Sequence, residues 1–254
     1  MKKQFFAATV ALGLGLNAAL APISANAGVI QLGFILDESG SIGGSNWNII
    51  RQGLADGIDL IPVGSTNSYE VSIVSFARDA TVRHANVLID SIASRNALSD
   101  QIESYSPAAG GSTNFAAAFD AMKNVLSNTI NSADFSYVNF ATDGRQTRGG
   151  TGISERNALI AAGIDNISIE GIGSRVDTND LQNNFCYPQP CDTTDPFNFP
   201  TQGFYISVAD AQDFVVVLQN KIRVVTGQVP EPSTIALLGV ALLGMSIIRR
   251  RNEA

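Results

Sequence analysis

Across residues 28–226, short apolar runs alternate with stretches of helical periodicity, the order expected of a sheet clothed in helices. Residues 30–36 form an apolar run that ends in Asp37 and predict a buried first strand. In 46–61, Ile49, Ile50, Leu54, Ile58 and Ile61 recur at helical spacing, with Ser45 or Asn46 as the cap. Residues 70–76 alternate as a strand. Residues 81–89 alternate again after the tight link 77–80, so the two predict an antiparallel hairpin. A short helix is expected over 95–105, and an amphipathic one over 115–130 with Phe115, Phe119, Met122 and Leu126 on one side. Strand 135–141, helix 155–162, strand 167–172, a short last strand at 203–206 and a closing helix over 209–225 complete the order. No internal repeat is visible. The strand runs are too apolar to leave a sheet face in water, so the expected fold is α/β, one mostly parallel sheet with helices on both faces.

Both ends read as addresses rather than as parts of that fold. Lys2 and Lys3 precede a mostly apolar stretch over 5–20, and Ala25-Asn26-Ala27 supplies a small-x-small cleavage site, so 1–27 predict a signal peptide. At the other end Val229-Pro230-Glu231-Pro232-Ser233 breaks any helix, 234–248 are nearly all apolar, and Arg249-Arg250-Arg251 follow. Fifteen residues at about 1.5 Å each fall short of the roughly 30 Å hydrocarbon core, and the arginines belong on its cytoplasmic side. This tail resembles the PEP-CTERM sorting signal of Gram-negative bacteria that make exopolysaccharide. The resemblance implies that 227–254 are an address removed by a membrane-bound exosortase near the Pro-Glu-Pro. The chain then touches a membrane only through this segment and ends at the cell surface or outside the cell. A permanent single-pass anchor is the alternative.

Charge narrows the partners. The 254 residues hold 16 Lys+Arg against 23 Asp+Glu, and removing both ends leaves 11 against 21, a net of −10. Such a domain lacks the dense cations that nucleic acid or an anionic lipid surface demands. With one His in the chain, a zinc site built on two histidines is unavailable.

Three loops carry the candidate chemistry. Asp37-Glu38-Ser39-Gly40-Ser41 follows the first strand, Gly110-Gly111-Ser112-Thr113-Asn114 precedes the amphipathic helix, and Thr142-Asp143-Gly144 follows a later buried strand. In an open parallel sheet, loops beyond the carboxyl ends of the strands converge on one crevice. An all-oxygen set of two carboxylates and three hydroxyls suits a hard cation such as Mg2+ rather than zinc or copper. Neutral hydroxyl ligands leave that ion much of its charge, so it can accept a carboxylate from outside.

Asp37-x-Ser39-x-Ser41, then Thr113, then Asp143 in a Thr-Asp-Gly step, resembles the metal-ion-dependent adhesion site of von Willebrand factor A-type domains. Order along the chain and the strand–helix pattern agree over 28–226. The resemblance implies a Rossmann-like sandwich with one antiparallel edge strand, in keeping with the expected hairpin. It further implies Asp37, Ser39, Ser41, Thr113 and Asp143 as metal ligands, Mg2+ as the ion with Mn2+ or Ca2+ as substitutes, and protein binding as the role. Ser112 is a departure, placing Thr113 one position later after the glycine pair than in the commoner Gly-Gly-Thr form; Thr113 is taken as the ligand.

Cys186 and Cys191 lie in a Pro/Asn/Asp-rich stretch over 175–202, and in an exported protein such a pair reads as a disulfide. That stretch is expected to be without secondary structure and to form a wall beside Asp37 and Asp143. His84 has no G-x-S-x-G serine to serve and reads as structural. The expected function is a non-enzymatic adhesion module whose metal engages a carboxylate on a protein partner. A metal-dependent phosphoester hydrolase, with Asp37, Glu38 or Asp143 as base, and a self-associating matrix protein are the alternatives.

Overall fold

The computed structural model describes residues 28–107 and 111–227; the predicted signal peptide, Gly110 and the predicted sorting tail lie outside them. Within this range a strand apolar on both sides must be covered twice, and β1 (Gly28–Asp37) is such a strand, buried from Ile30 onward. Leu32, Phe34 and Leu36 face one core, and Ile35 faces the other. Beside it lie β2 (Asn67–Phe76) and β4 (Phe135–Thr142), then β5 (Asn166–Ile172) and β6 (Tyr205–Val208). With β3 (Ala80–Ile89) they form one six-stranded sheet of order β3-β2-β1-β4-β5-β6. Every pairing is parallel except β2 with β3, the expected hairpin, whose outer strand leaves Val82 and Leu88 nearly half exposed.

Helices α1 (Gly43–Ile58), α2 (Ile92–Glu103) and α6 (Ala211–Val225) cover one face, α3 (Phe115–Leu126) and α4 (Ile153–Ala161) the other. Their boundaries differ from the pattern only at the ends. α1 starts at Gly43 with Ile42 in the capping position and no side-chain cap, and α2 starts earlier because Ser91 and Ser94 form a reciprocal capping box. α3 stops at Leu126, where Ser127 turns its hydroxyl back onto the Lys123 carbonyl.

One topological fact positions the site. The chain leaves β1 for α1 on one face, and leaves the adjacent β4 for α4 on the other. Neighbouring strands whose crossovers part in this way leave a crevice at their carboxyl ends.

The long stretch after β5 corrects two expectations. It is not structureless: Thr178–Asp180 make a short helix, α5, and Leu181–Phe185 a π-helical turn. Leu181 and Phe185, four residues apart, are both buried, with the Phe185 ring 5.3 Å from Phe115 and 5.4 Å from Phe119. Nor does the cysteine segment wall the carboxylates. After Phe185 the chain runs down the edge of β5, Tyr187 pairing with Ile167, and the Asn166 amide donates to the carbonyls of Pro200 and Gln202. The Cys186–Cys191 disulfide therefore sits near the start of β5, whereas the carboxylates lie beyond its end, about 20 Å away at roughly 3.3 Å per residue. Leu181 and Phe185 pull the chain into the core on the way, so the start of the stretch, through Asp177 beside Arg145, stays at the carboxylate end and the cysteines do not.

Candidate functional site

Asp37 is the last residue of β1, and the β1–β4 register, Leu36 against Ala141, sets it beside Thr142. The Thr142 hydroxyl donates to Asp37 Oδ2 at 2.6 Å, and the Ser39 amide donates to Oδ1 at 2.8 Å. Asp37 is otherwise sealed, only 1% exposed. Burial pushes its carboxyl up from 3.8 to about 6, and the bonds from Ser39 and Thr142 offset only part of that cost.

The hydroxyls follow from the turn. Ser39 and Ser41 lie on the tight chain between β1 and α1, with their Oγ atoms 3.2 Å apart, and Ser41 Oγ donates to Asp143 Oδ1 at 2.6 Å. Asp143, the first residue past β4, is half-buried; burial raises its pKa, while Ser41 and the positive charge of Arg175 pull it back. Thr113 reaches the same place from the α3 side. Its amide is held by the Thr147 hydroxyl at 2.8 Å, and its carbonyl accepts from the Thr147 amide at 2.9 Å. The Gly40 amide meets the Gly111 carbonyl at 3.4 Å, so the first and second loops touch.

Gly144 marks the centre. A Cβ placed there would meet Thr113 Oγ1 at 3.3 Å, Ser41 Oγ at 3.7 Å and Asp37 Oδ2 at 3.9 Å. Three oxygens from two loops thus meet Gly144 of the third around one small space that only glycine leaves open. The structure brings Asp37, Ser39, Ser41, Thr113 and Asp143 to one end of the sheet. The donor set, two carboxylates and three hydroxyls in a crevice with little cationic charge inside it, fits a hard divalent ion chemically.

Several supporting residues escaped the sequence reading. Thr142 was visible only as a neighbour of Asp143; its hydroxyl role follows from register. Gln146 Oε1 accepts from the Phe115 amide at the start of α3, and Thr147 grips Thr113, so the chain after β4 holds the chain before α3. Glu38 is buried, with its carboxylate 2.9 Å from Arg83 Nη2; Arg83 also donates to Ser75 Oγ and the Ser106 carbonyl. His84 stacks on Tyr105 with ring centroids 5.8 Å apart, on the β3 side of the molecule.

Residues 31–212 match the sequence model of the von Willebrand factor type A domain, and 228–251 that of the PEP-CTERM protein-sorting motif. The chain belongs to the von Willebrand factor type A domain family. Its mostly parallel sheet with one antiparallel pair and helices on both faces is the fold of that family. A search of curated proteins finds no match. Among solved structures it is similar to proximal thread matrix protein 1 from the mussel byssus, with 18% identity, a TM-score of 0.61, and coverage of 79% of this chain and 47% of that one. A second structure of that mussel protein has a zinc-occupied MIDAS motif, with 17% identity, a TM-score of 0.60, and coverage of 79% and 48%. A von Willebrand factor type A structure from Catenulispora acidiphila gives 17% identity, a TM-score of 0.57, and coverage of 79% and 42%. The chain thus spans less than half the length of each of these proteins.

Proposed function

We propose that this chain is an exported, non-enzymatic binding module in which Asp37, Ser39, Ser41, Thr113 and Asp143 hold one divalent cation, Mg2+ in service. Mn2+ and Ca2+ are substitutes of the same hard-oxygen chemistry. When bound, the cation supplies an electrophilic position for a carboxylate of a protein partner. The residues prepare that position. Ser39, Ser41 and Thr113 offer neutral oxygens, which leave the charge incompletely quenched. Thr142 and the Ser39 amide fix the Asp37 carboxylate in a single orientation, and Thr147 sets the height of Thr113.

One observation carries this reading: Asp37 is a sealed carboxylate whose hydrogen-bond partners are neutral hydroxyls and an amide, with no cation against it among the described residues. A buried charge left in that condition is costly, and a divalent ion in the crevice removes the cost. The zinc-occupied site of the mussel matrix protein supports the same reading by likeness of fold. The hydrolase alternative is weaker. Glu38, one of its candidate bases, is engaged by Arg83.

The proposed organisation is a signal peptide over 1–27, the binding domain over 28–226 and a sorting segment over 227–254 for exosortase. The last places the mature module at the surface, or in the matrix, of a Gram-negative bacterium. No helix among the described residues is long and apolar enough to cross a membrane, and the apolar segment 234–248 lies outside them. The test is capture of partners from the native cell surface with Mg2+ and with EDTA, using wild type and Asp37→Ala. Capture should require both Mg2+ and Asp37. Equal capture by the variant, or in EDTA, contradicts the proposal. Sedimentation under the same two conditions separates a metal-bridged partner from a metal-bridged second copy.

A further inference from the structure

A groove of about 220 Å³ leads away from Asp143 across the carboxylate end of the sheet. Ser41 and Asp143 stand at its mouth, Ile50, Ile172 and Ala211 form an apolar floor, and Asn46 and Arg175 line its walls. The groove is open to solvent along one side and is large enough for an extended side chain.

The groove lining carries one cation, Arg175, and two carboxylates, Asp143 at the mouth and Asp210 on the rim. Arg175 is exposed and makes no ion pair within 4 Å among the described residues, though its charge reaches Asp143. The rim carboxylate of Asp210 is occupied, accepting from the amides of Gln212 and Asp213 at the start of α6. On the opposite wall the 16-residue α1 begins without a side-chain cap, so its positive end faces the groove, with open space above Gly43 and Gly44. Arg78, Arg145 and Arg148 project from loops at the same end of an otherwise acidic domain, Arg145 leaning on Asp177 at 3.9 Å.

We infer that this groove takes the glutamate side chain of an acidic peptide whose neighbouring carboxylate occupies the Asp37–Asp143 site, with Arg175 as the residue that selects it. The inference rests on the metal-bridging reading and names the partner it fits. Glutamate rather than aspartate follows from the floor: two methylenes lie over Ile50, Ile172 and Ala211 while the carboxylate reaches the guanidinium. Polypeptide rather than uronate polysaccharide is carried over from the protein-binding role proposed above, and the test below decides between them.

The test uses fluorescent peptides of the form Asp-(Gly)n-Glu, with n from one to three, and matched Asp-(Gly)n-Gln controls. They are titrated into the mature protein in Mg2+ and in EDTA, and Mn2+ affinity is measured separately by electron paramagnetic resonance. In wild type, the best Glu peptide should bind about tenfold more tightly than its Gln control, and only in Mg2+. Arg175→Gln should bring that ratio to about one and Arg175→Glu should invert it, while Mn2+ still binds in both because neither change removes a ligand. If the ratio survives Arg175→Gln, or is one in wild type while Mg2+-dependent binding persists, the groove inference fails and the metal bridge stands. If Mn2+ binds but no peptide does, the bridging reading falls and this inference with it. If oligogalacturonate displaces the Glu peptide at lower carboxylate concentration than the peptide itself, the polypeptide choice is wrong.

Discussion

Two buried carboxylates in this domain meet the same physical problem in opposite ways. Glu170, in the middle of β5, is fully buried but carries its own cation: Lys221 Nζ from α6 lies 2.7 Å from Glu170 Oε1, donates to Asn139 Oδ1 and sits over the Phe204 ring. Burial pushes both groups toward their neutral forms, and their contact opposes it. Asp37 is sealed just as well at the end of β1, yet it is held only by neutral groups, Thr142 and Ser39. The first site is complete within the chain. The second is built as though the missing charge were to arrive from solvent.

The comparison breaks most visibly at Lys221. Lys221→Met leaves Glu170 buried without its cation and should cost about 3–5 kcal/mol in urea unfolding. The double variant Glu170→Gln, Lys221→Met should recover most of that loss. A single variant as stable as wild type would mean that the pair holds no charge.

Asp37 should behave in the opposite sense. Its folded pKa, about 6, lies above the ordinary 3.8. Between those values the folded chain therefore binds more protons than the unfolded one, and stability contributed by this group falls as pH rises from about 4 to about 6. In metal-free buffer at pH 7.5, Asp37→Asn should match or exceed wild type, by up to about 3 kcal/mol. With Mg2+ added, wild type should gain stability and the variant should not. Below pH 6 protons compete for Asp37, so the thermal shift produced by Mg2+ should shrink. A metal-free variant far less stable than wild type at pH 7.5 would show that Asp37 serves the fold instead.

A smaller effect belongs at the far end of β5. Replacing Cys186 and Cys191 by Ser opens a loop closed across five positions and should cost about 2 kcal/mol. Because the bridge lies about 20 Å from Asp37 by strand length, Mn2+ affinity should stay within twofold. A large loss of metal affinity would join two regions that the fold keeps apart.

The sequence made the sheet legible wherever both faces of a strand are apolar, as in 30–36 and 135–141, because such runs admit little else. The residues at Asp37, Ser39, Ser41, Thr113 and Asp143 stood out because each lies in a glycine-containing loop at the end of a strand or the start of a helix. What stayed hidden depends on partners distant in the chain. Thr142 bonds Asp37 through strand register across 105 positions, Arg83 finds Glu38 across 45, and Lys221 finds Asn139 across 82. The course of 176–203 was lost for another reason. Its prolines and asparagines mask Leu181 and Phe185, whose spacing of four marks the helical turn that draws the chain into the core.

The most direct measurement is a crystal of the mature protein soaked in Mn2+ and recorded at an anomalous wavelength. The account predicts a single strong peak beside Gly144, at about 2.1–2.4 Å from Ser39 Oγ, Ser41 Oγ and Thr113 Oγ1, with Asp37 and Asp143 bound directly or through water. A crevice without a peak at saturating Mn2+, or a peak held by other residues, would contradict it.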